Sequence, residues 1–303
     1  QSFPLPPPDP AEGQREDGPD PLATFNPRKV PALDLTIDKL YRGDDLFGNW
    51  ALKLRPTTRG VSFDDIDIEI KGLHIDGSGG WEGDPGATGS WYKGRLDGKN
   101  LADVLKAFGF APTVTSRDFR LDVDGRWPGS PAAVGLKNYS GSLDAALRTG
   151  QFVEVEGSAQ ALRVFGLLNF NSIGRRLRLD FSDLFDKGLA YDRVKGLLVG
   201  SEGVYVTREP ITVTGPSSNF ELDGTLDMVR DRVDANLRVT LPVTNNLPLA
   251  ALIVGAPAIG GALFLVDRLI GDRVARFASV HYRVEGPWKE PKITFVKPFE
   301  KSR

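Results

Sequence analysis

Apolar and polar residues alternate along most of the chain after residue 30. Leu33, Leu35 and Ile37 share one face of a short segment, and Asp34 and Thr36 take the other. The same alternation recurs at Ile66, Ile68 and Ile70, at Leu121 and Val123, and at Leu237 and Val239. A period of two with one apolar face is typical of antiparallel strands that face water on one side. The pattern predicts a meander of roughly fourteen such strands.

Four Asp-Gly dipeptides punctuate the alternating segments. They are Asp76-Gly77, Asp97-Gly98, Asp124-Gly125 and Asp223-Gly224. This dipeptide is a strong signal for a tight hairpin turn, because both of its residues tolerate positive φ. We therefore expect turns between strands at these four positions.

Helical patterns are few. Asn100 is a plausible N-cap for a helix over residues 100–109, with Leu101, Val104 and Leu105 on one stripe. A second helix is predicted over residues 158–174. So few helices cannot cover the apolar face of so many strands. Either the sheet folds onto itself as a sandwich or barrel, or part of the face stays open to a partner, a ligand or a lipid.

A largely apolar stretch near the end of the chain, Leu247 to Gly271, is long enough to cross a membrane, and no charged residue falls between Arg238 and Asp267. Pro257 and the nearby glycines disfavour one continuous helix, so we predict two short helices, 248–254 and 257–270. The pair either caps the end of the apolar face or dips into a membrane interface. The residues predicted to make this contact are Leu249, Leu252, Ile253, Ile259, Leu263 and Phe264.

These patterns divide the chain into four segments. Residues 1–29 are rich in proline and are predicted to be a linker. Residues 30–245 form the antiparallel sheet with its short helices, residues 246–278 the apolar helical pair, and residues 279–303 the closing strands. Met228 is the only methionine, so we expect the chain to be a piece of a longer polypeptide.

Composition removes several classes of function. A net charge of −2 argues against nucleic acid as a partner. The chain has no cysteine, and its two histidines, His74 and His281, lie far apart and are interpreted as surface residues. The Asp122–Arg126 segment begins like a calcium loop, but Arg126 occupies a ligating position. We therefore expect no metal, no cofactor and no catalytic residue. An envelope hydrolase is kept as a minor alternative.

Three segments, taken in order, carry a resemblance to a known family. They are residues 35–83, the segment GLLNFNSIGRRLRLDFSDLFDKGLAYDRVKG at 166–196, and YRVEGPWKEPKI at 282–293. Together they resemble the C-terminal part of the YhdP branch of the AsmA-like proteins, which belong to Gram-negative cell envelopes.

The resemblance implies a mainly β fold, in which an elongated, curled antiparallel sheet forms an apolar groove for lipid acyl chains. It also implies a periplasmic segment of a conduit that moves phospholipid between the inner and outer membranes. The full-length protein would be anchored in the inner membrane through the upstream part of the same polypeptide, and this segment would lie near the inner leaflet of the outer membrane. The predicted groove lining is Leu33, Leu35, Ile37, Ile66, Ile68, Ile70, Leu121, Val123, Leu237 and Val239. The alternative is a closed β-sandwich that serves as a structural or protein-interaction module, in which the same residues would be core.

Overall fold

The structure is a computed structural model that describes residues 2–5, 19–42, 45–153, 189–216, 218–243, 264–270, 273–288 and 291–296. Within these residues the fold is mainly β, with one α-helix and two short 3-10 helices, Pro27–Lys29 and Pro131–Ala133. The helix, α1, covers Leu101–Ala107. The strands are β1 Ser2–Leu5, β2 Leu33–Arg42, β3 Asp45–Pro56, β4 Gly60–Ile70, β5 Leu73–Asp84, β6 Ala87–Gly98, β7 Val114–Pro128, β8 Ser140–Phe152, β9 Leu189–Ser201, β10 Val204–Thr214, β11 Asn219–Asp227, β12 Arg232–Val243, β13 Phe264–Ile270, β14 Arg273–Pro287 and β15 Lys292–Phe295.

All of these strands belong to one sheet, which is curled but not closed. From β2 to β12 each strand pairs antiparallel with the next strand along the chain, as the predicted meander requires. β1 is the exception, because it pairs parallel to β2. At the other end β14 follows β12, and both β13 and β15 pair with β14. The predicted fold class is therefore confirmed.

The Asp-Gly dipeptides lie in strands rather than in turns, so the turn prediction was wrong. Gly77 lies within β5 with φ +148°, and a Cβ there would come 2.4 Å from the carbonyl oxygen of Lys93. Gly224 lies in β11 with φ +157°, and a Cβ there would come 2.3 Å from the carbonyl oxygen of Asp234. Glycine in a strand interior permits a bend and a close approach of the neighbouring strand. These positions therefore serve the curl of the sheet.

Helix α1 agrees with the helix predicted over residues 100–109. Val104 and Leu105 of its predicted apolar stripe are buried. Asn100 stands at the N-cap position, but its side-chain nitrogen donates to Asp103 Oδ2 at 2.7 Å instead of capping the backbone. The helix predicted over residues 158–174 lies outside the described residues.

The helical pair predicted over residues 246–278 is wrong where the structure describes that segment. Residues 264–270 form β13, which pairs with β14 so that Asp267 stands opposite Arg276. β14 would otherwise present an unpaired row of backbone amides and carbonyls at the sheet edge, and β13 satisfies part of that row. Residues 244–263 lie outside the described residues.

The segment predicted to be a linker, residues 1–29, contributes to the fold. β1 extends the sheet beyond β2. The carboxylate of Asp20 accepts hydrogen bonds from the backbone N–H and the hydroxyl of Ser130, at 2.8 and 2.6 Å. Phe25 stacks on Trp81 with 5.7 Å between the ring centroids. These contacts tie the start of the chain to strand β5 and to the segment that follows β7, because they satisfy polar groups and cover an indole ring.

Buried tyrosines hold the second half of the sheet together. Tyr205 is fully buried, its ring lies against Gly200, and its hydroxyl donates to the Leu136 carbonyl at 2.7 Å. Tyr191 lies opposite Gly150 in the same way and donates to the Thr115 carbonyl at 2.5 Å. Each ring fills the space that its glycine partner leaves empty, and each hydroxyl satisfies a carbonyl outside the strand ladder.

Candidate functional site

One face of the sheet carries a continuous row of apolar residues that runs across the strands. In the strand register each member stands directly opposite the next, one from each of β2 to β8. The row, called the apolar row below, is Ile37, Trp50, Ile68, Ile75, Leu96, Leu121 and Ala145. Seven strands are separated by six spacings of about 4.8 Å, so the apolar row is about 29 Å long.

A second row, beside the apolar row on the same face, contains two glycines. Ile66 stands opposite Gly77, Gly77 opposite Gly94, and Gly94 opposite Val123. The Tyr92 side chain, on the same face of β6, lies over this row, because a Cβ on Gly94 would come 2.5 Å from the Tyr92 hydroxyl, which donates to the Asp76 carbonyl at 2.7 Å. The glycines therefore make room for the Tyr92 side chain beside the apolar row.

The first half of this face is only half-buried. Every member of the apolar row has intermediate exposure, and Leu33 on the same face is 44% exposed. The second half is different, since Ile211, Leu222, Leu237 and Tyr282, which continue the row across β10, β11, β12 and β14, are all buried. These residues join a large packed cluster that includes Tyr191 and Tyr205. The accessible apolar surface is therefore concentrated on β2–β8.

The opposite face is polar and carries ion pairs between neighbouring strands. They include Arg95–Asp122 at 2.8 Å, Lys93–Asp124 at 2.8 Å and Arg238–Glu221 at 2.9 Å. Such exposed pairs add little to stability, about 0–1 kcal/mol each. Their importance lies in solvation, because they keep this face in water while the other face stays apolar.

His74 lies on the polar face between two carboxylates. Its Nε2 is 3.2 Å from Asp67 Oδ1 and its Nδ1 is 3.4 Å from Asp97 Oδ1. Burial alone would lower the pKa of His74, but the hydrogen bonds with Asp67 and Asp97 outweigh it and raise the pKa above its ordinary value. Donor atoms of His74, Asp76 and Asp97 lie within 4.8 Å of one another and could reach a common cation. The expected absence of a metal site stays a prediction.

The sequence profile of the YhdP protein family matches residues 3–293. The chain belongs to the YhdP family. A curated relative is the intermembrane phospholipid transporter YhdP of Escherichia coli (strain K12), which is 25% identical over 231 residues. The match covers 76% of this chain but only 18% of that relative. No solved structure matches the chain. Among the described residues of this YhdP-family chain, no helix is long and apolar enough to span a membrane.

The structure places the predicted groove residues of this YhdP-family chain in two environments. Leu33 is exposed, and Leu35, Ile37, Ile66, Ile68, Leu121 and Val123 are half-buried on the first half of the apolar face. Ile70, at 9% exposure, is buried, and Leu237 and Val239, at 4% and 1%, are packed in the core. Of the residues predicted for a membrane contact, Phe264 begins β13, while Leu249, Leu252, Ile253, Ile259 and Leu263 lie outside the described residues.

Sequence reasoning missed Ile75 and Leu96 as members of the apolar row. They lie in glycine-rich strands, β5 and β6, where few apolar residues remain to show a period of two. A usable signal was present at Lys71-Gly72, the two-residue connection between β4 and β5, where both residues have positive φ, at 49° and 82°. Such a turn fixes the register of a hairpin, and it places Ile75 opposite Ile68.

Proposed function

We propose that this chain is a segment of a conduit that carries phospholipid between the inner and outer membranes of the envelope, with the acyl chains lying on the apolar row. The observation that carries the proposal is the accessible, uninterrupted apolar surface across β2–β8. The name of the Escherichia coli relative, an intermembrane phospholipid transporter, supports the same class of cargo.

The energetic reason for such a surface is the cost of exposing acyl chains to water. Each methylene that leaves an apolar environment costs about 0.8 kcal/mol. A bilayer core is roughly 30 Å thick, so an acyl chain of one leaflet reaches roughly 15 Å. The apolar row, about 29 Å long by strand spacing, has room for an extended acyl chain along its length. The head group would remain in water, and no covalent step is needed, so we propose no enzymatic role.

The distribution of burial assigns different tasks to the two halves of the sheet. Strands β2–β8 supply the acyl contact, through the half-buried members of the apolar row and their neighbours Leu35, Ile66 and Val123. Strands β9–β12 supply a packed body, in which Leu237 and Val239 serve as core residues. The packed strands β9–β12 also support a second candidate function, because a structural or protein-interaction module would have a packed core of this kind.

The proposal is tested by replacing Ile68 with Asp and measuring the phospholipid that copurifies with the protein. We expect about tenfold less lipid, because desolvating an unpaired carboxylate costs more than the about 1.4 kcal/mol that corresponds to tenfold. The matched control is Val206→Asp, which makes the same change at an apolar residue that is 47% exposed. Equal lipid in both variants, or no lipid in the parent protein, would favour the structural module.

A second measurement does not depend on the folding of an aspartate variant. Phospholipid with brominated acyl chains should quench the fluorescence of Trp50, which belongs to the apolar row. Quenching should fall in Trp50→Phe and persist in Trp91→Phe, because Trp91 is five positions before Leu96 in β6 and alternation places it on the face opposite the apolar row. Quenching that is unchanged in Trp50→Phe would place the acyl chains elsewhere.

We further propose that the chain lies in the periplasm, with its upstream part anchored in the inner membrane, and that the apolar stretch from Leu247 to Leu263 contacts the inner leaflet of the outer membrane. Its support is the absence of charge in this stretch. Leu252→Asp should abolish binding to liposomes with unchanged folding. Unfolding of that variant would instead indicate that the stretch caps the sheet.

A further inference from the structure

The polar face of the sheet contains a cluster of four cations around one small residue. Ala146 in β8 stands opposite Arg120 in β7 and Lys195 in β9. Arg148 follows two positions after Ala146, on the same face of β8, and stands opposite Arg193 in β9. The name cation cluster is used below for Arg120, Arg148, Arg193 and Lys195.

The cation cluster borders a cavity of about 930 Å³, whose lining holds seven Lys and Arg residues against four acidic ones, Glu69, Asp97, Asp103 and Asp118. This volume lies in the range of about 300–1,000 Å³ that is typical of small-molecule sites. Because Ala146 has only a methyl group, it leaves space between the two cationic side chains opposite it. Those residues are two strand spacings apart, about 10 Å, which leaves room for a small anion between them.

The cation cluster departs from the pairing found elsewhere on the polar face. Lys53, Lys93 and Arg238 each have a carboxylate partner on an adjacent strand. In the cluster, Arg120 and Arg148 have partners in Asp122 and Asp118, at 2.9 and 3.6 Å. Arg193 and Lys195 have no ion pair within the described parts of the chain.

The register adds a repulsive contact to this surplus of positive charge. Arg148 and Arg193 stand directly opposite each other, an arrangement that destabilises a sheet. A local arrangement that lowers stability without a structural gain indicates a functional constraint. A bound anion would remove the repulsion, since guanidinium groups bind phosphate oxygens through paired charge-assisted hydrogen bonds.

We propose that the cation cluster binds a phosphate-bearing ligand. The cation cluster lies on the face opposite the apolar row, because Ala146 and Arg148 alternate along β8 with Ala145 and Leu147; from the apolar face, Phe119 and Leu147 also line the cavity, but no member of the apolar row does. The proposal therefore does not rest on acyl-chain carriage. The phosphate belongs either to a soluble phosphate compound or to the head group of a membrane lipid, and the two sources are separable by experiment.

The test measures binding of inorganic phosphate by calorimetry and binding of phosphatidylcholine vesicles with and without phosphatidylglycerol by sedimentation. The variant is the double substitution Arg193→Gln with Lys195→Gln in the full chain. It should weaken the interaction about tenfold or more, since hydrogen bonds to charged groups contribute about 1.5–3 kcal/mol. The matched control is Lys93→Gln with Arg238→Gln, which changes the net charge equally on the same face.

Each outcome decides the proposal. If inorganic phosphate binds the parent protein and the control but not the first variant, the ligand is a soluble phosphate compound. If only vesicles with phosphatidylglycerol bind in this way, the ligand is a lipid head group. Binding of neither probe, or equal weakening in both variants, overturns the proposal. Thermal unfolding without ligand should show the first variant to be at least as stable as the parent protein, which separates lost binding from lost folding.

Discussion

At the scale of single residues, pairs of an aromatic ring and a glycine fix the packing of the second half of the sheet. Tyr205 lies over Gly200, and a Cβ on that glycine would come 2.6 Å from the ring. The Tyr205 hydroxyl reaches the Leu136 carbonyl, and the ring stacks on Tyr139 at 6.3 Å between centroids. The ring and the hydroxyl therefore make separate contributions to stability.

Replacement of Tyr205 by Phe separates these contributions. The ring would remain, but the partly buried Leu136 carbonyl would lose its partner, so the free energy of unfolding should fall by about 1 kcal/mol. Urea unfolding measures the change. The control is Tyr41→Phe, since the Tyr41 hydroxyl has no hydrogen-bond partner among the described residues. An equal loss in both variants would contradict a specific role for the Tyr205 hydroxyl.

The two histidines, His74 and His281, make the free energy of unfolding depend on pH in opposite directions. Burial and the nearby Arg238 lower the pKa of His281, whereas the carboxylates around His74 raise its pKa despite burial. A raised pKa in the folded state stabilises the protein fully below the ordinary value of about 6.5, and this contribution is lost as pH rises through the raised value. The lowered pKa of His281 has the opposite effect, because its contribution is lost as pH falls.

We therefore expect His74→Gln to destabilise the protein below a pH of about 6.5 and to have a progressively smaller effect as pH rises. Unfolding of parent and variant in urea across this pH range measures the difference. The comparison isolates His74, since His281 is present in both proteins. A difference that stays constant with pH would show that the ion pairs with Asp67 and Asp97 do not form in solution.

At the scale of elements, helix α1 is attached to the sheet through a buried serine. Ser116 Oγ accepts the backbone N–H of Leu101 at 3.2 Å and lies 3.3 Å from the Lys99 carbonyl oxygen, to which it donates. Ser116 is only 6% exposed. The hydroxyl therefore satisfies one of the backbone N–H groups that a helix leaves unpaired at its start.

Ser116→Ala should lower the free energy of unfolding by about 1 kcal/mol and increase hydrogen exchange at the start of α1. Exchange measured by mass spectrometry locates the effect. Ser142→Ala provides a control within the sheet, because the Ser142 hydroxyl makes no hydrogen bond within the described residues. An unchanged α1 in Ser116→Ala would mean that burial of Val104 and Leu105 suffices to hold the helix.

The sequence predicted strands better than it predicted their connections. Alternation at Ile66, Ile68 and Ile70 is a local property, so the strands could be placed without knowledge of the rest of the chain. The Asp-Gly pairs were misread because the same conformational freedom serves a tight turn and a bend within a strand. Only the neighbouring strand, which closely approaches Gly77 or Gly224, decides between the two.

At the scale of the whole molecule, the two halves of the sheet differ in how well their apolar face is packed. Trp50, Ile68 and Leu121 are half-buried, whereas Leu226 and Val239 are 1% exposed. A period of two predicts which face is apolar, but not what covers that face. The predicted groove residues therefore included both accessible and core positions, since their sequence patterns are the same.

We expect this difference to appear in native-state hydrogen exchange. Amides of β2–β5 should open with smaller free energies than those of β10–β12, because less apolar surface is buried around them. Addition of phospholipid should increase protection in β2–β8 and leave β10–β12 unchanged. Equal protection throughout the free protein would indicate that the first half of the apolar face is covered in solution.

The nearest-neighbour order of the strands also bears on how the protein is made. Because β2 to β8 each pair with the next strand along the chain, their contacts close short loops and can form while synthesis continues. Each finished hairpin presents an edge on which the following strand can form. The sheet can therefore grow from its N-terminal edge strand by strand, and a chain interrupted in mid-synthesis would already hold an ordered, shorter version of the same surface.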